Sequence, residues 1–213
     1  MQFLDPKLED YCKEKSSSPA NYLHELERET HLKTLAPVMV SGHFQGRVLS
    51  MISKLVRPEL VLEIGTFTGY SALCLAEGLA EDGKLHTIEV NDELQPLIEK
   101  YLQKSPYQSQ IELHLGPAED IIPEIEGDFD LVFIDAGKKM YAHFFDLVAD
   151  RMRRGGLILA DNVLWSGKVL MEKTDDETQA LKDFNAKVLE HPEFEVLMLP
   201  IRDGISVIRK IEN

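Results

Sequence analysis

Between residues 60 and 160 the chain alternates short apolar runs with longer amphipathic ones. The short runs, "LVLEI" (60–64), "KLHTIEV" (84–90), "IELHL" (111–115), "FDLVFI" (129–134) and "LILA" (157–160), have strand length and composition. Between them, "SALCLAEGLA", "DELQPLIEKYLQ", the short "AEDIIPEI" and "YAHFFDLVADRMRR" carry helical spacing. Regular alternation predicts a parallel sheet with helices on both faces. The end of the chain departs from this rule. "FEVLMLPI" and "ISVIRKI" are separated only by "RDG", a link too short for a crossover, so they form a hairpin and the last strand runs antiparallel. The expected architecture is α/β: a mostly parallel seven-stranded sheet with its last strand reversed.

Residues 1 to about 55 read as additional amphipathic helices ahead of the 56–213 core. "PANYLHELERETHLK" has helix spacing, with Pro19 suited to a first turn, and "GRVLSMISKLV" is a second helix stopped near Pro58. At 213 residues, all of this fits one domain, 1–213, with a sizeable core.

Composition narrows the function classes. With 23 Lys plus Arg against 37 Asp plus Glu, the net charge is −14. Such a surface repels phosphate backbones and argues against nucleic acid as the main partner. Cys12 and Cys74 form no CxxC pair or disulfide framework, which fits a reducing cytoplasm. No run reaches membrane-spanning length, and the opening residues contain no apolar signal core, so a soluble, cytoplasmic protein is expected.

The first strand runs into "LEIGTFTGYS". Gly65 lets the backbone turn tightly and approach a ligand, and Gly69 allows close packing at the start of the following helix. The spacing is GxxxG, not the GxGxxG of dinucleotide sites, and alone it is compatible with a plain strand-to-helix turn. Glu63 lies just before the glycine, and Glu89 ends the second strand, where a carboxylate can accept both hydroxyls of a ribose. Acids without phosphate-binding groups suit a nucleoside bearing an amino-acid tail, which describes S-adenosylmethionine.

These segments, with "LHTIEV", "LGPAED", "FDLVFIDAGKKMY", "LILADNVLWSGKV" and "LPIRDGISVI", resemble the cation-dependent O-methyltransferases, the group containing the catechol and caffeoyl-CoA enzymes. The likeness runs from about Met39 to Ile208. It implies the Rossmann-like class I methyltransferase fold, with Glu63, Gly65, Phe67 and Ser71 on the methionine and ribose side of the cofactor and Glu89 on its ribose. It further implies Ala118 by the adenine, and Val40 and Ser41 of "MVSGHFQG" against the cofactor, with Asp135 at its edge.

The chemistry converges on two strand ends. "FDLVFI" ends in Asp135 and "LILA" in Asp161 and Asn162. Neighbouring strands lie roughly 4.8 Å apart, so if these two are neighbours, three oxygen ligands meet at the carboxyl edge of the sheet. An all-oxygen set favours Mg²⁺, with Mn²⁺ or Ca²⁺ as alternatives, over zinc. A phenol, with a pKa of about 10, is a poor nucleophile at neutral pH. A divalent ion on both oxygens of a vicinal diol favours the phenolate, and Lys138, three residues beyond Asp135, is placed to take the proton as general base. The family likeness gives Lys138 that role. Lys139 reads as a surface lysine.

Trp165 offers either core packing or a wall for the acceptor ring, with Ser166 beside it; Asp203 resembles a family acid near the acceptor, or is simply part of a "DG" turn. His43 lies in the segment where the family varies. Two departures bear on the acceptor: Gly137 replaces a bulkier family residue and opens the pocket, and the acidic 169–183 segment is shorter than the plant insertion for a coenzyme A ester. The expected activity is therefore methylation of one hydroxyl of a small catechol by a homodimer. The alternatives are methylation of a hydroxylated tRNA uridine at the same site and a non-catalytic S-adenosylmethionine-binding module.

Overall fold

In the computed structural model, which describes residues 5–211, seven strands pair in the order β3-β2-β1-β4-β5-β7-β6. They are β1 (Leu60–Ile64), β2 (Lys84–Glu89), β3 (Ile111–Leu115), β4 (Phe129–Ile134), β5 (Met152–Asp161), β6 (Phe194–Leu199) and β7 (Ile205–Lys210). The first five strands pair in parallel, and β7 inserts antiparallel between β5 and β6. The reversed last strand and the hairpin follow the sequence reading. The one detail the pattern does not carry is that β7, not β6, lies against β5.

 Sequence alternation fixes which elements exist, whereas the order of the final hairpin depends on which strand finds the open edge of β5.

Side chains of alternate strand residues face opposite layers. Leu62, Ile64, Val132, Ile134, Ile158 and Ala160 pack on one face against Tyr141, Phe145 and Phe184. Val61, Leu131, Phe133 and Leu159 pack on the other against Leu23, Leu49 and Leu73. Burying each of these phenylalanines stabilises the fold by about 1.5–3 kcal/mol. One polar residue interrupts β4: Asp130 Oδ2 accepts the backbone N–H groups of Glu59 and Leu60 (2.7 and 2.9 Å), and Arg153 pairs with its Oδ1 at 3.0 Å. The acid therefore fastens the start of β1 to β4.

The described N-terminal region contains α1 (Pro6–Glu14), α2 (Asn21–Lys33) and α3 (Gly42–Val56). The helices among the strands are α4 (Tyr70–Ala76), α5 (Gln95–Lys104), α6 (Ala118–Ile121), α7 (Tyr141–Ala149) and α8 (Asp176–Glu190). Residues 1–4 of the expected N-terminal helical region, and 212–213, lie outside the described residues.

Several boundaries differ from the sequence reading. Pro19 precedes α2 instead of opening it, and Ala20 is the N-terminal cap residue. α4 stops before Gly78, where a Cβ would lie 2.2 Å from the Ser53 backbone, so α3 and α4 cross too closely for a longer helix with side chains there. α7 ends at Ala149, and "MRR" instead opens a ten-residue β5, because Met152 pairs with Phe129 and Arg153 with Asp130. α8 was not expected at all. Its acidic opening masks a buried stripe of Thr178, Leu181, Phe184 and Val188, and Asp175 caps it by accepting from the Thr178 N–H at 2.8 Å.

Candidate active site

The register of the sheet assembles the site. Ile64 pairs with both Ile88 and Ile134, and Ile134 with Ala160. The next residues along these strands, Gly65, Glu89, Asp135 and Asp161, therefore share the carboxyl edge of four adjacent strands. The two acids and one amide expected to converge do lie on neighbouring strands.

Gly65 has φ +102°, and a Cβ there would lie 2.0 Å from the Asp135 carbonyl oxygen. The glycine is required by contact with the end of β4, where the sequence suggested approach to a ligand. Gly69, at φ +89°, has only Ile98 Cγ2 at 3.6 Å from such a Cβ. Its left-handed backbone, more than close packing, calls for glycine.

Glu63 is fully buried, and its Oε2 accepts from Thr87 Oγ1 at 2.5 Å. Its Oε1 has no hydrogen-bond partner among the described residues. Burial pushes this carboxyl up to about 8, against the opposing influence of the Ser71 and Thr87 hydroxyls; Asp135 and Glu89 add to the rise. A buried oxygen without a partner at the strand tip fits a ligand that brings a donor. Glu89 Oε2 accepts the Phe67 N–H (2.7 Å) and its Oε1 the Asn91 N–H (2.9 Å). Each oxygen keeps a second lone pair, so the carboxylate is oriented and can still accept from a diol. Phe67 itself has φ +51°, a costly backbone for an aromatic residue that the Glu89 bond holds in place. Ser71 in the first turn of α4 and Ala118 at the start of α6 are both buried.

At the other half of the edge, Lys138 Nζ donates to Asp135 Oδ1 (3.1 Å), Asn162 Oδ1 (2.7 Å) and Tyr141 Oη (2.6 Å). Three acceptors use all three ammonium hydrogens. Lys138 is buried, unlike Lys139, which pairs with Asp176 at the surface. Tyr141 Oη in turn donates to the Asp161 carbonyl at 2.9 Å, and burial, then Asp135 and Asp161, holds its phenol well above the ordinary value. Asp161 Oδ1 accepts the Asn162 N–H (2.8 Å) and Oδ2 the Gln45 amide (2.7 Å). Burial, reinforced by Asp135, nevertheless raises Asp161 to about 7. A carboxyl this buried, facing a second acid, fits a cation, and Asp135, Asp161 and Asn162 supply the oxygen donors that Mg²⁺ prefers.

Asn162, Trp165 and Ser166 have φ of +59°, +47° and +53°. A cluster of left-handed residues beside this edge is the kind of strain found at functional sites. Trp165 places its ring centroid 5.8 Å from Lys138 Nζ, and its buried Nε1 has no partner among the described residues. The Ser166 N–H donates to Asp203 Oδ1, which brings the hairpin acid to the same loop. Among the described residues, nothing beyond Gly137 and its two chain neighbours lies within 4 Å of a Cβ built there, consistent with an open approach. His43 Nε2 lies 3.1 Å from the Ser17 carbonyl.

The sequence reading missed Gln45, Tyr141 and Arg202. Arg202 Nη1 binds the Ser41 carbonyl, the Val40 carbonyl (3.2 Å) and Gln45 Oε1 (3.1 Å), tying the buried Val40–Ser41 segment to the final hairpin. A glutamine on the buried face of an amphipathic helix, and a tyrosine three residues after the lysine, were the available signals.

Residues 13–211 match the family model described as O-methyltransferase. A caffeoyl-CoA O-methyltransferase from Eucalyptus gunnii is 32% identical over 197 residues, covering 87% of this chain and 79% of the relative. Caffeoyl-CoA O-methyltransferase 1 of Arabidopsis thaliana is 33% identical over 197 residues, covering 86% and 76%. Among solved structures, the SAH-bound methyltransferase PaMTH1 of Podospora anserina superposes with a TM-score of 0.88 at 29% identity, covering 97% of this chain and 94% of that one. The O-methyltransferase TomG of Streptomyces achromogenes, in complex with SAM, gives 0.90 at 25% identity, covering 97% and 96%.

Proposed function

The chain belongs to the O-methyltransferase family, whose members use S-adenosylmethionine, and from that premise we propose that it methylates one hydroxyl of a small catechol with the help of a divalent cation. One observation carries this reading: Lys138 Nζ is held where Asp135 and Asn162 converge, with Asp161 on the same sheet edge. A divalent ion held by Asp135, Asp161 and Asn162, Mg²⁺ by preference, would supply a Lewis acid that favours ionisation of the acceptor. Lys138 first gives one of its three ammonium protons to solvent, and the neutral amine then accepts the acceptor's proton. Tyr141 fixes the lysine's position, and its high pKa keeps it a donor to the Asp161 carbonyl while it receives the Lys138 bond. Glu63, Gly65, Phe67, Ser71, Glu89 and Ala118 hold the cofactor, with Val40 and Ser41 beside them. Trp165, Ser166 and Asp203 line the acceptor side, and most of the rate gain comes from positioning the acceptor against the sulfonium.

Gln45 of α3 and Arg202 of the hairpin both reach this edge, which supports one catalytic unit over residues 1–213. A small acceptor is favoured over a polyanionic one because Glu172, Asp175, Asp176 and Glu177 are exposed in the loop beyond Trp165 and the start of α8. Among the described residues no helix is long and apolar enough to cross a membrane. Exposed Leu32, Met51 and Leu55 on α2 and α3, with Leu35, Val38 and Met39 between these helices, support pairing with a second copy. The test is transfer of labelled methyl from S-adenosylmethionine to a panel of catechols and to bulk tRNA. Label in the catechols supports the reading, and label in tRNA alone replaces it.

A further inference from the structure

A second group of potential ligands lies on β2 and the edge strand β3, apart from the strand-end acids. His86 of β2 is in register with Glu112 of β3, and His114 is two residues further along the same strand, so all three project on one face. His86 Nδ1 and His114 Nε2 are 2.9 Å apart. Glu112 places Oε2 3.7 Å from His86 Nδ1 and Oε1 3.8 Å from His114 Nε2. One ligand atom from each residue falls within 4.8 Å of the others. The two imidazoles stack at 5.2 Å between centroids and are largely covered, at 16% and 22% side-chain exposure, while the carboxylate is open to solvent at 62%.

We propose that His86 Nδ1, His114 Nε2 and the Glu112 carboxylate form a zinc-class metal site that clamps the edge strand β3 to β2. The separations bracket the edge of about 3.4 Å expected between donors in a tetrahedron with ligand bonds of roughly 2.0–2.1 Å. Two nitrogens and one carboxylate suit Zn²⁺ and disfavour Mg²⁺ or Ca²⁺, which take oxygen ligands. Water fills the fourth position. A metal ligand must be a neutral imidazole, and burial lowers the pKa of His86, partly offset by Glu112, with His114 and Lys84 lowering it further. In the metal-free chain, one ring keeps its proton on the nitrogen shared by the pair. When the ion binds, that proton moves through solvent to the other nitrogen of the same ring, so no net proton release is needed. β3 is an edge strand, paired on one side only, and joining it to β2 through an ion would hold it against fraying.

The experiment titrates untagged, metal-stripped full chain with Zn²⁺ in competition with a chromophoric chelator, in excess Mg²⁺ to occupy oxygen-donor sites. Thermal unfolding and the Co²⁺ visible spectrum are recorded alongside. The expected result is one equivalent of Zn²⁺, a raised Tm and a tetrahedral Co²⁺ band. His114→Gln should weaken Zn²⁺ binding by at least roughly tenfold, no less than the loss of an outer partner costs, and remove the band. Glu112→Gln is at an exposed position, tests the same claim without disturbing the core, and should also weaken binding. No competitive zinc binding, or an equivalent unchanged in both variants, would overturn the proposal. So would a zinc equivalent lost only in Asp161→Asn, which would place the ion at the strand-end acids.

Discussion

Gln45 donates its side-chain amide to Asp161 Oδ2 at 2.7 Å, across 116 residues of sequence. The bond joins α3 to the end of β5, and Arg202 fixes the other end of the amide at 3.1 Å. Gln45→Leu removes the donor and leaves one buried carboxylate oxygen without its partner. Stability should fall by about 1–3 kcal/mol, the cost of an unsatisfied buried polar group, measured by urea unfolding. The Mg²⁺ concentration for half-maximal activity should rise by about 10–100-fold, the usual effect of losing a residue that orients a metal ligand.

Lys138→Ala should fold and bind cofactor, yet lose roughly 10²–10⁴ in kcat, the span of a general base. The loss should shrink as pH rises towards the acceptor's own pKa, where ionised acceptor no longer needs the lysine. A variant with full activity at neutral pH would assign the base elsewhere.

Glu63 gives a pH dependence of stability. Its carboxyl is raised from 4.5 to about 8 in the folded chain, chiefly by burial. A raised carboxyl favours the protonated form on folding, so its contribution is complete below about pH 4.5 and is lost as pH rises through 8. A shift of that size corresponds to about 5 kcal/mol between those limits. Glu63→Gln cannot ionise and should remove this part of the slope. Urea midpoints of the cofactor-free proteins at pH 5 and pH 8 check it, and the variant should gain relative to the parent at the higher pH.

The exposed apolar residues of α2, α3 and the turn between them, including Leu35 and Val38, should be covered by a second chain. Light scattering at micromolar concentration should give twice the chain mass, and Leu35→Glu with Val38→Glu should shift it towards the single-chain mass.

The strand-end acids were legible because each follows an apolar run that stops on a polar residue. Asp135, Asp161 and Asn162 could be placed together once two strands were taken as neighbours, and the register bears this out. Gln45, Tyr141 and Arg202 were not legible in the same way. Their partners lie on other elements, at distances in sequence that no periodicity encodes. α8 escaped because "DDETQALKD" begins with charges, and its buried stripe of Leu181, Phe184 and Val188 becomes visible only when the window extends past the acidic turn. The fold could be read from local alternation, while the order of β6 and β7 rested on pairing between distant segments.

The central claim is that the acceptor's two hydroxyls and a divalent ion act together at Asp135, Asp161 and Asn162. Its most direct test is the initial rate of methyl transfer from labelled S-adenosylmethionine to a catechol and to the matching monophenol, each with excess chelator and again after Mg²⁺ is restored. The account predicts turnover of the catechol that stops in chelator and returns with Mg²⁺, with the monophenol far slower throughout. Full catechol turnover in excess chelator, or equal rates for the two acceptors, would contradict it.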